Sequence, residues 1–296
     1  MRGRLLISWK NLTCVCDEIN PDAILAVGDV NSTMACSLVA AKKNIKIILV
    51  EAGIRSRDRT MPEEINRLVT DSIADYLLLP SPDAVENLLN EGHSADSIRM
   101  VGNIMIDTLI KQQPGIKASV ILKNPGLGEK EFVTLTMHRP WNVDEPITFK
   151  RILDALFKIQ SKIKIVFPVH PRTRKMMTDS GFEQYITAMT NLTLCDPLGY
   201  YDFGKLVSES KFVLTDSGGI QEETTVYGIP CITLRENTER PITISEGTNE
   251  LAGSDTAKIV EYSLQILDGK RKSGATPQLW DGKTAERIIS FIQEKF

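Results

Sequence analysis

Short apolar runs alternate with amphipathic stretches along the chain. The run AILAV at residues 23–27 is typical of a buried strand, and residues 33–42, rich in Ala, Leu and Met, are predicted to form the helix that follows. Strands of a parallel sheet are covered on both faces, so they appear as continuous apolar runs rather than as alternating ones. The repeated strand–helix order therefore predicts an α/β protein built from βαβ units.

The pattern occurs twice, and a segment of different character separates the two halves. The first half is predicted to have strands at residues 23–27, 46–50, 76–79 and 98–101 and helices at 33–42, 63–75 and 81–89. The second half is predicted to have strands at residues 132–136, 164–168, 192–195, 212–215 and 230–234 and helices at 147–160, 200–209, 221–227, 257–267 and 284–295. Residues 108–130 carry several helix-breaking residues and are predicted to connect two domains; they are Pro114, Gly115, Pro125, Gly126 and Gly128.

Composition narrows the class of protein. Of the 296 residues, 42% are hydrophobic and 25% are charged, which is typical of a globular protein. The net charge is −3, and the sequence has no cluster of basic residues of the kind that binds nucleic acid. No apolar run approaches the roughly 18 residues of a membrane helix, and the apolar stretch near Met1 is too short for a signal peptide. We therefore expect a cytoplasmic protein that binds neither membrane nor nucleic acid. The five cysteines and three histidines lack metal-site spacing, so we expect reduced thiols and no protein-held metal.

Polar residues directly follow five of the predicted strands. They are Gly28-Asp29, Glu51, His138-Arg139, His170-Pro171-Arg172 and Asp216-Ser217. Open parallel sheets bind ligands beyond the carboxyl ends of their strands, so these positions are the candidates for chemistry. A single strand-end Asp is more often a turn or capping residue, but five such ends favour a site.

The segment DSGGIQEE, residues 216–223, has the features of a phosphate-binding turn. Gly218 and Gly219 allow a ligand to approach the backbone, Ser217 can donate its hydroxyl, and the next helix offers its N-terminal dipole to an anion. A plain tight turn explains the glycines equally well. Glu223 lies one turn into that helix, where it either accepts ribose hydroxyls or is an exposed helix carboxylate.

Carboxylates of the first half are candidates for acid–base chemistry. If Asp29 and Glu51 face one cleft, their repulsion raises at least one of the two pKa values, which prepares an acid and a base in one place. Glu63 and Glu64 open the helix at residues 63–75, where acidic side chains also stabilise the helix dipole. The second half contains candidate cations for binding a diphosphate, although each of them could instead be a structural or surface residue. They are His138, Arg139, His170, Arg172, Arg235 and Arg240.

Seven motifs occur in an order that resembles the bacterial and archaeal UDP-N-acetylglucosamine 2-epimerases. They are GDVNST, EAGIRSRDRTMPEEINR, HRPWN, HPRT, DSGGIQEE, RENTERP and GTNELAG. The resemblance covers the chain from about residue 20 to its end. It implies two Rossmann-like domains in a glycosyltransferase-B-like arrangement, with residues 1–112 in the first domain, 113–281 in the UDP-binding domain and 282–296 in a terminal helix that packs back on the first.

The resemblance also implies the reaction. UDP-GlcNAc and UDP-ManNAc are interconverted when a base removes the C2 proton, UDP leaves C1 to give 2-acetamidoglucal, and UDP adds back; no cofactor is required. By motif, the catalytic residues are Asp29, Glu51, Glu63 and His138, which assists the leaving diphosphate. The substrate-binding residues are Phe203 beside the uridine, Ser217, Gly218 and Gly219 in the phosphate loop, Glu223 at the ribose and Arg240 at the diphosphate. The family suggests a homodimer.

The sequence departs from the family in two places. Family members have an additional strand and a G-T-R-P-E loop before the GD motif, so we expect the first domain to be N-terminally shortened. Trp141 stands where the family has Glu, and Val30 where Thr is common. These departures leave open a catalytically impaired UDP-binding fragment.

Two further alternatives share the same candidate residues and the same UDP cleft: a hydrolysing epimerase that releases ManNAc and UDP, and a glycosyltransferase of similar architecture.

Overall fold

The computed structural model describes residues 2–123, 127–270 and 272–296, with side chains from residue 6 onward. The chain forms two compact units, Met1–Thr108 with Gln278–Phe296, and Leu109–Pro277. Each unit contains one parallel sheet, so the predicted α/β class with two Rossmann-like sheets is confirmed. No helix in the described part of the chain is long and apolar enough to cross a membrane.

Strands and helices alternate in both units. The strands are β1 (Ala23–Val27), β2 (Lys46–Val50), β3 (Tyr76–Leu79), β4 (Ile98–Met100), β5 (Phe132–Thr136), β6 (Lys164–Pro168), β7 (Leu192–Cys195), β8 (Phe212–Thr215), β9 (Cys231–Thr233) and β10 (Asn249–Leu251). The helices are α1 (Arg2–Ile19), α2 (Asn31–Lys42), α3 (Pro62–Ile73), α4 (Pro82–Asn90), α5 (Ile104–Ala118), α6 (Pro140–Val143), α7 (Pro146–Ile159), α8 (Pro171–Asp179), α9 (Glu183–Thr187), α10 (Tyr200–Glu209), α11 (Gly218–Tyr227), α12 (Pro241–Ser245), α13 (Thr256–Leu267) and α14 (Thr284–Lys295).

The sheet of the first unit has the order β1-β2-β3-β4, and every pair is parallel. The pairing of Val27 with Val50 brings the carboxyl ends of β1 and β2 side by side. On one face of the sheet, Ile288 and Phe291 of α14 pack in a cluster with Val50. This burial of apolar surface holds the last helix of the chain on the first unit.

The sheet of the second unit has the order β10-β9-β8-β5-β6-β7, again all parallel. From β5 the chain moves outward through β6 and β7, then returns to the other side of β5 with β8, β9 and β10. The order thus reverses between β5 and β8. In open α/β sheets, such a switch point leaves a crevice at the carboxyl ends of the two strands, which is the preferred place for a ligand.

Several segments differ from the sequence-based prediction. The helices α1, α6, α8, α9 and α12 were not predicted. Residues 108–130 do not form a simple connection, because α5 runs to Ala118 with Pro114 inside it. Leu109 and Ile116 are buried on this helix, so packing outweighs the backbone hydrogen bond that Pro114 removes. Pro125 and Gly126 lie outside the described residues. Strand β10 was also not predicted, because its sequence NEL lacks an apolar run.

Candidate active site

In the first unit, the strand ends of β1 and β2 both turn through the left-handed backbone region. Gly28 has a φ of 71° and Glu51 a φ of 69°, a conformation that is costly for a residue with a side chain. A Cβ added to Gly28 would lie 3.5 Å from Glu51 Oε2, so the carboxyl group of Glu51 lies beside the Gly28-Asp29 turn. The structure therefore brings two of the predicted carboxylates to one edge of the sheet.

The side chain of Asp29 lies beside two residues of α3. Arg67 Nη1 is 3.6 Å from Asp29 Oδ2, and the side-chain amide of Asn66 donates to the Asp29 carbonyl oxygen over 2.8 Å. The Arg67 side chain is buried, whereas that of Asp29 is partly exposed. The cation therefore lies beside the carboxyl group of Asp29 while leaving it accessible. Glu63 lies three and four residues before Asn66 and Arg67, which places it on the same face of α3.

Helix α3 buries its polar residues and leaves its apolar stripe partly exposed. The buried residues are Glu64, Asn66, Arg67, Thr70 and Asp71, whereas Ile65, Leu68, Val69 and Ile73 are half-buried. Glu64 accepts from the backbone N–H groups of Ser56 (3.0 Å) and Arg57 (2.9 Å). Its carboxylate thus fixes the loop that follows Glu51.

A buried ion cluster supports the same loop from the other side. Arg55 Nη2 lies 2.6 Å from both Asp71 Oδ2 and Glu91 Oε2, and the backbone N–H of Gly53 donates to Asp71 over 3.2 Å. Burial lowers the pKa of Arg55, but the bonds to Glu91 and Asp71 more than offset this and raise it. The loop is therefore rigidly positioned by charges that satisfy each other.

In the second unit, His138, His170 and Asp216 lie at neighbouring strand ends around the switch point. Asp216 directly follows β8 and is fully buried, and its Oδ1 lies 3.2 Å from Nδ1 of the His138 ring. The ring centroids of His138 and His170 are 5.7 Å apart. Burial lowers the pKa of His138; Asp216 opposes this effect, and electrostatic interactions with Arg139, His170 and Arg172 add to it.

The two glycines at the start of α11 differ in what surrounds them. Ser217 is the N-cap residue, and neither Gly218 nor Gly219 has a positive φ. A Cβ on Gly218 would lie 2.6 Å from Glu239 Oε1, whereas nothing lies within 4 Å of the Cβ position on Gly219. Gly218 thus makes room for a carboxylate of the protein itself, and Gly219 borders open space at the helix N-terminus.

Both arginines of the RENTERP motif pair with carboxylates of the second unit. Arg235 Nη2 lies 2.7 Å from Glu239 Oε2, and Arg240 Nε lies 2.5 Å from Glu222 Oε1. All four residues are buried. These ion pairs fix the loop after β9 beside the start of α11.

Trp141 packs against two arginines. The guanidinium carbons of Arg139 and Arg235 lie 5.7 and 5.6 Å from its ring centroid, within cation–π distance. The neighbouring Asn142 donates to Asp216 Oδ2 over 3.2 Å and to the Leu234 carbonyl oxygen over 2.7 Å. The residue that departs from the family pattern is thus part of the packing around the switch point.

Glu223 and Phe203 lie in a largely apolar environment. Burial raises the pKa of Glu223 to about 7, although the Tyr200 hydroxyl opposes this by bonding to the carboxylate. Burial also raises the pKa of Tyr227 to about 12. Phe203 packs on the buried cluster that includes Val207. A carboxyl group with a pKa of about 7 can donate a hydrogen bond when it is protonated and accept one when it is charged. Recognition of a hydroxyl-bearing ligand requires such a group.

The structure groups the predicted residues by unit. Asp29, Glu51 and the helix face of Glu63 lie in the first unit, and the other predicted residues lie in the second. Sequence reasoning named Asp216 only as a strand-end position, without a specific role, and it did not single out Arg67 or Glu239. The spacing from Glu63 signals Arg67, and the strand end signals Asp216, but Glu239 is 21 residues from Gly218 and gives no local signal. The described residues contain no group of three or more His, Cys, Asp or Glu side chains able to hold a metal.

Comparison with known proteins gives consistent matches over nearly the whole chain. A family model described as UDP-N-acetylglucosamine 2-epimerase matches residues 3–293. The UDP-N-acetylglucosamine 2-epimerase of Methanocaldococcus jannaschii is 36% identical over 295 residues, which cover 98% of this chain and 79% of that protein. The UDP-2,3-diacetamido-2,3-dideoxy-D-glucuronate 2-epimerase of Pseudomonas aeruginosa is 34% identical over 296 residues, covering 99% and 79%.

A solved structure agrees with these matches. The crystal structure of the Methanocaldococcus jannaschii UDP-GlcNAc 2-epimerase in complex with UDP-GlcNAc and UDP has a TM-score of 0.86 to this chain at 34% identity. The similarity covers 97% of this chain and 80% of that chain. The protein therefore belongs to the UDP-N-acetylglucosamine 2-epimerase family.

Proposed function

We propose that this protein is an isomerase that interconverts UDP-GlcNAc and UDP-ManNAc. The observation that carries the proposal is that residues matching the family motifs lie at the carboxyl ends of the parallel strands in both units. Family membership supports the same reaction, as does the solved relative in complex with UDP-GlcNAc and UDP.

The carboxylates of the first unit are proposed to move the C2 proton. Inversion at C2 needs a base that removes the proton and an acid that returns one on the other face. Asp29 and Glu51 lie at adjacent strand ends, and Glu63 lies on the α3 face that contacts Asp29. Arg67 Nη1 lies 3.6 Å from Asp29 Oδ2 and holds in place the carboxyl group that is proposed to act as a base.

The second unit is proposed to hold the nucleotide and its diphosphate. The N-terminus of α11, with Ser217, Gly218 and Gly219, offers backbone N–H groups and a favourable dipole to an anion. Arg240, in its ion pair with Glu222, is proposed to contribute to the diphosphate side.

The remaining residues of the second unit complete this assignment. Phe203 and Glu223 are proposed to contact uridine and ribose. His138 is proposed to assist departure of the diphosphate, after which UDP adds back to the 2-acetamidoglucal intermediate.

Solvent exchange at C2 tests this function directly. The purified protein is incubated with UDP-GlcNAc in D2O, and the sugar is followed by NMR. We expect deuterium at C2 together with UDP-ManNAc, and we expect Glu51→Gln to lose both. Asp96→Asn, a surface carboxylate substitution of the same kind, is the control that keeps both. A folded wild-type protein that gives neither C2 deuterium nor a ManNAc-type product would refute the proposal.

The same assay separates the alternative reactions. A hydrolysing epimerase releases free ManNAc and UDP in equal amounts, and an impaired fragment binds UDP without C2 exchange. The relative from Pseudomonas aeruginosa, named for UDP-2,3-diacetamido-2,3-dideoxy-D-glucuronate, is nearly as similar to this chain as the Methanocaldococcus protein. A second incubation with that nucleotide sugar therefore decides between the two substrates by their rates of C2 exchange.

We further propose that the protein acts in the cytoplasm as a homodimer. The family resemblance supports the dimer, and the five free cysteines suit a reducing compartment. Light scattering of the purified protein tests the first point, and cell fractionation tests the second. A monomer at assay concentration, or recovery outside the cytoplasmic fraction, would contradict the respective part.

A further inference from the structure

Asp216 is a buried carboxylate that gathers several donors at the switch point. Its Oδ2 accepts from the backbone N–H groups of His138 (3.0 Å) and Arg139 (2.8 Å) and from the Asn142 amide (3.2 Å). Its Oδ1 lies 3.2 Å from Nδ1 of the His138 ring. A fully buried charge is retained at such cost only where the surrounding groups use it.

We propose that Asp216 is a positioning residue for His138, which keeps the ring proton on Nδ1 and leaves Nε2 for the substrate diphosphate. A bare Nδ1 would direct its lone pair at an anionic oxygen 3.2 Å away, whereas a proton on Nδ1 turns that repulsion into attraction. The backbone N–H bonds from His138 and Arg139 fix the carboxylate in place. This inference rests on the proposed function of His138.

The charges around the ring set its state before substrate binds. Arg139, Arg172 and any positive charge on the His170 ring disfavour an imidazolium at His138, and Asp216 favours it; Arg172 is itself paired with Asp144. Burial, together with these positive charges, outweighs Asp216 and lowers the pKa of His138, which favours the neutral ring in the protein without ligand.

An anionic diphosphate reverses this balance. With Asp216 on one side and the diphosphate on the other, the His138 ring takes up one proton from solvent at Nε2, keeps it, and donates a hydrogen bond through it to a diphosphate oxygen. When the C1–O bond of the sugar breaks, its electron pair stays on the departing UDP. The Nε2–H bond then stabilises the charge that develops there, and Asp216 stabilises the imidazolium.

His170 provides a built-in comparison. Its Nδ1 accepts a hydrogen bond from the backbone N–H of Arg172 over 3.2 Å, so its own proton belongs on Nε2. The two neighbouring rings are therefore expected to be opposite tautomers, although their centroids are only 5.7 Å apart.

Nitrogen NMR of the imidazole rings tests the assignment without reference to activity. The full-length chain has three histidines, and His138→Gln and His170→Gln assign the relevant signals. We expect the Nδ1–H tautomer at His138 and the Nε2–H tautomer at His170 in the wild type. Asp216→Asn should move His138 toward the Nε2–H tautomer. Asp144→Asn, which removes a charge from the same neighbourhood, should leave it unchanged. A wild-type His138 protonated on Nε2 would overturn the proposal even if Asp216→Asn failed to fold.

Kinetics separate positioning from simple structural support. Loss of a correctly positioned proton donor typically costs ~100-fold or more, so we expect Asp216→Asn to lower kcat by at least that factor. KM should change by less than roughly 3-fold, because the phosphate loop is intact. A parallel loss of UDP affinity with an unchanged His138 tautomer would mean that Asp216 only holds the loop. If the wild type shows the expected tautomers but no C2 exchange, the proposed function is refuted and the Asp216–His138 pairing remains supported.

Discussion

The two glycines at the start of α11 should respond in opposite ways to the same substitution. In Gly218→Ala, the new methyl would lie 2.6 Å from Glu239 Oε1. Ordinary C···O contacts are about 3.3–3.6 Å, so Glu239 would have to retreat by roughly 0.7–1 Å. In Gly219→Ala, the methyl meets nothing within 4 Å. The pair therefore offers one chemical change in two environments, one residue apart.

The structure sets the size of the effect at Gly218. Glu239 is buried and its other oxygen is 2.7 Å from Arg235, so it has no solvent to retreat into. Overpacking of this kind costs about 1–3 kcal/mol, and loss of the buried ion pair raises the cost toward 3–5 kcal/mol. Gly219→Ala should leave stability unchanged or raise it by about 0.4–1 kcal/mol, since alanine restricts the unfolded chain more than glycine does.

Denaturant unfolding and UDP calorimetry together check this prediction. We expect Gly218→Ala to lower the free energy of unfolding. Gly219→Ala should keep that free energy but weaken UDP binding, because its methyl enters the space beside the helix N-terminus. Equal stability of the two variants would refute the assignment of Gly218 to the close approach of Glu239. Unchanged UDP affinity in Gly219→Ala would refute the placement of the diphosphate at this helix.

Three further perturbations follow from buried charges and from Trp141. Burial raises the pKa of Glu223 to about 7, so its contribution to stability is fully present below about pH 4.5 and is lost as pH rises through 7. The loss is on the order of 3 kcal/mol. Urea titrations across this pH range should show the loss in the wild type and not in Glu223→Gln. Asp71→Asn should cost about 3–5 kcal/mol in the same assay, because it removes a buried partner of Arg55, and a loss below 1 kcal/mol would contradict the ion cluster. Trp141→Ala should lower the free energy of unfolding by about 1–2 kcal/mol because it removes two cation–π contacts, whereas Trp141→Phe should keep most of that stabilisation. Equal losses of stability in the two variants would argue against those contacts.

Much of the fold could be predicted from the sequence because parallel strands have a local signature. An apolar run such as AILAV is recognisable without knowing its partners, and most predicted strands match observed ones within a residue or two. The failures have local causes as well. Strand β10 has no apolar run, and its buried Asn249 is satisfied by Thr233 and Gln221 from elsewhere in the chain. In α5, Pro114 and Gly115 suggested a break that burial of Leu109 and Ile116 overcomes.

The sequence indicated the candidate residues of the site but not the contacts between them. The order of the motifs and the strand-end positions are properties of the linear chain, and they alone determined which residues to consider and which family the chain resembles. Contacts between residues are different, because Asp216 meets His138 from 78 residues away and Glu239 reaches Gly218 from 21 residues away. Only the tertiary structure decided these contacts, since a buried charge is stabilised by whichever group packing brings within hydrogen-bond distance. The same reason explains α3, which buries Glu64 and Arg67 within 3.4 Å of each other and Asp71 beside Arg55, although its periodicity alone favours burial of Ile65 and Leu68.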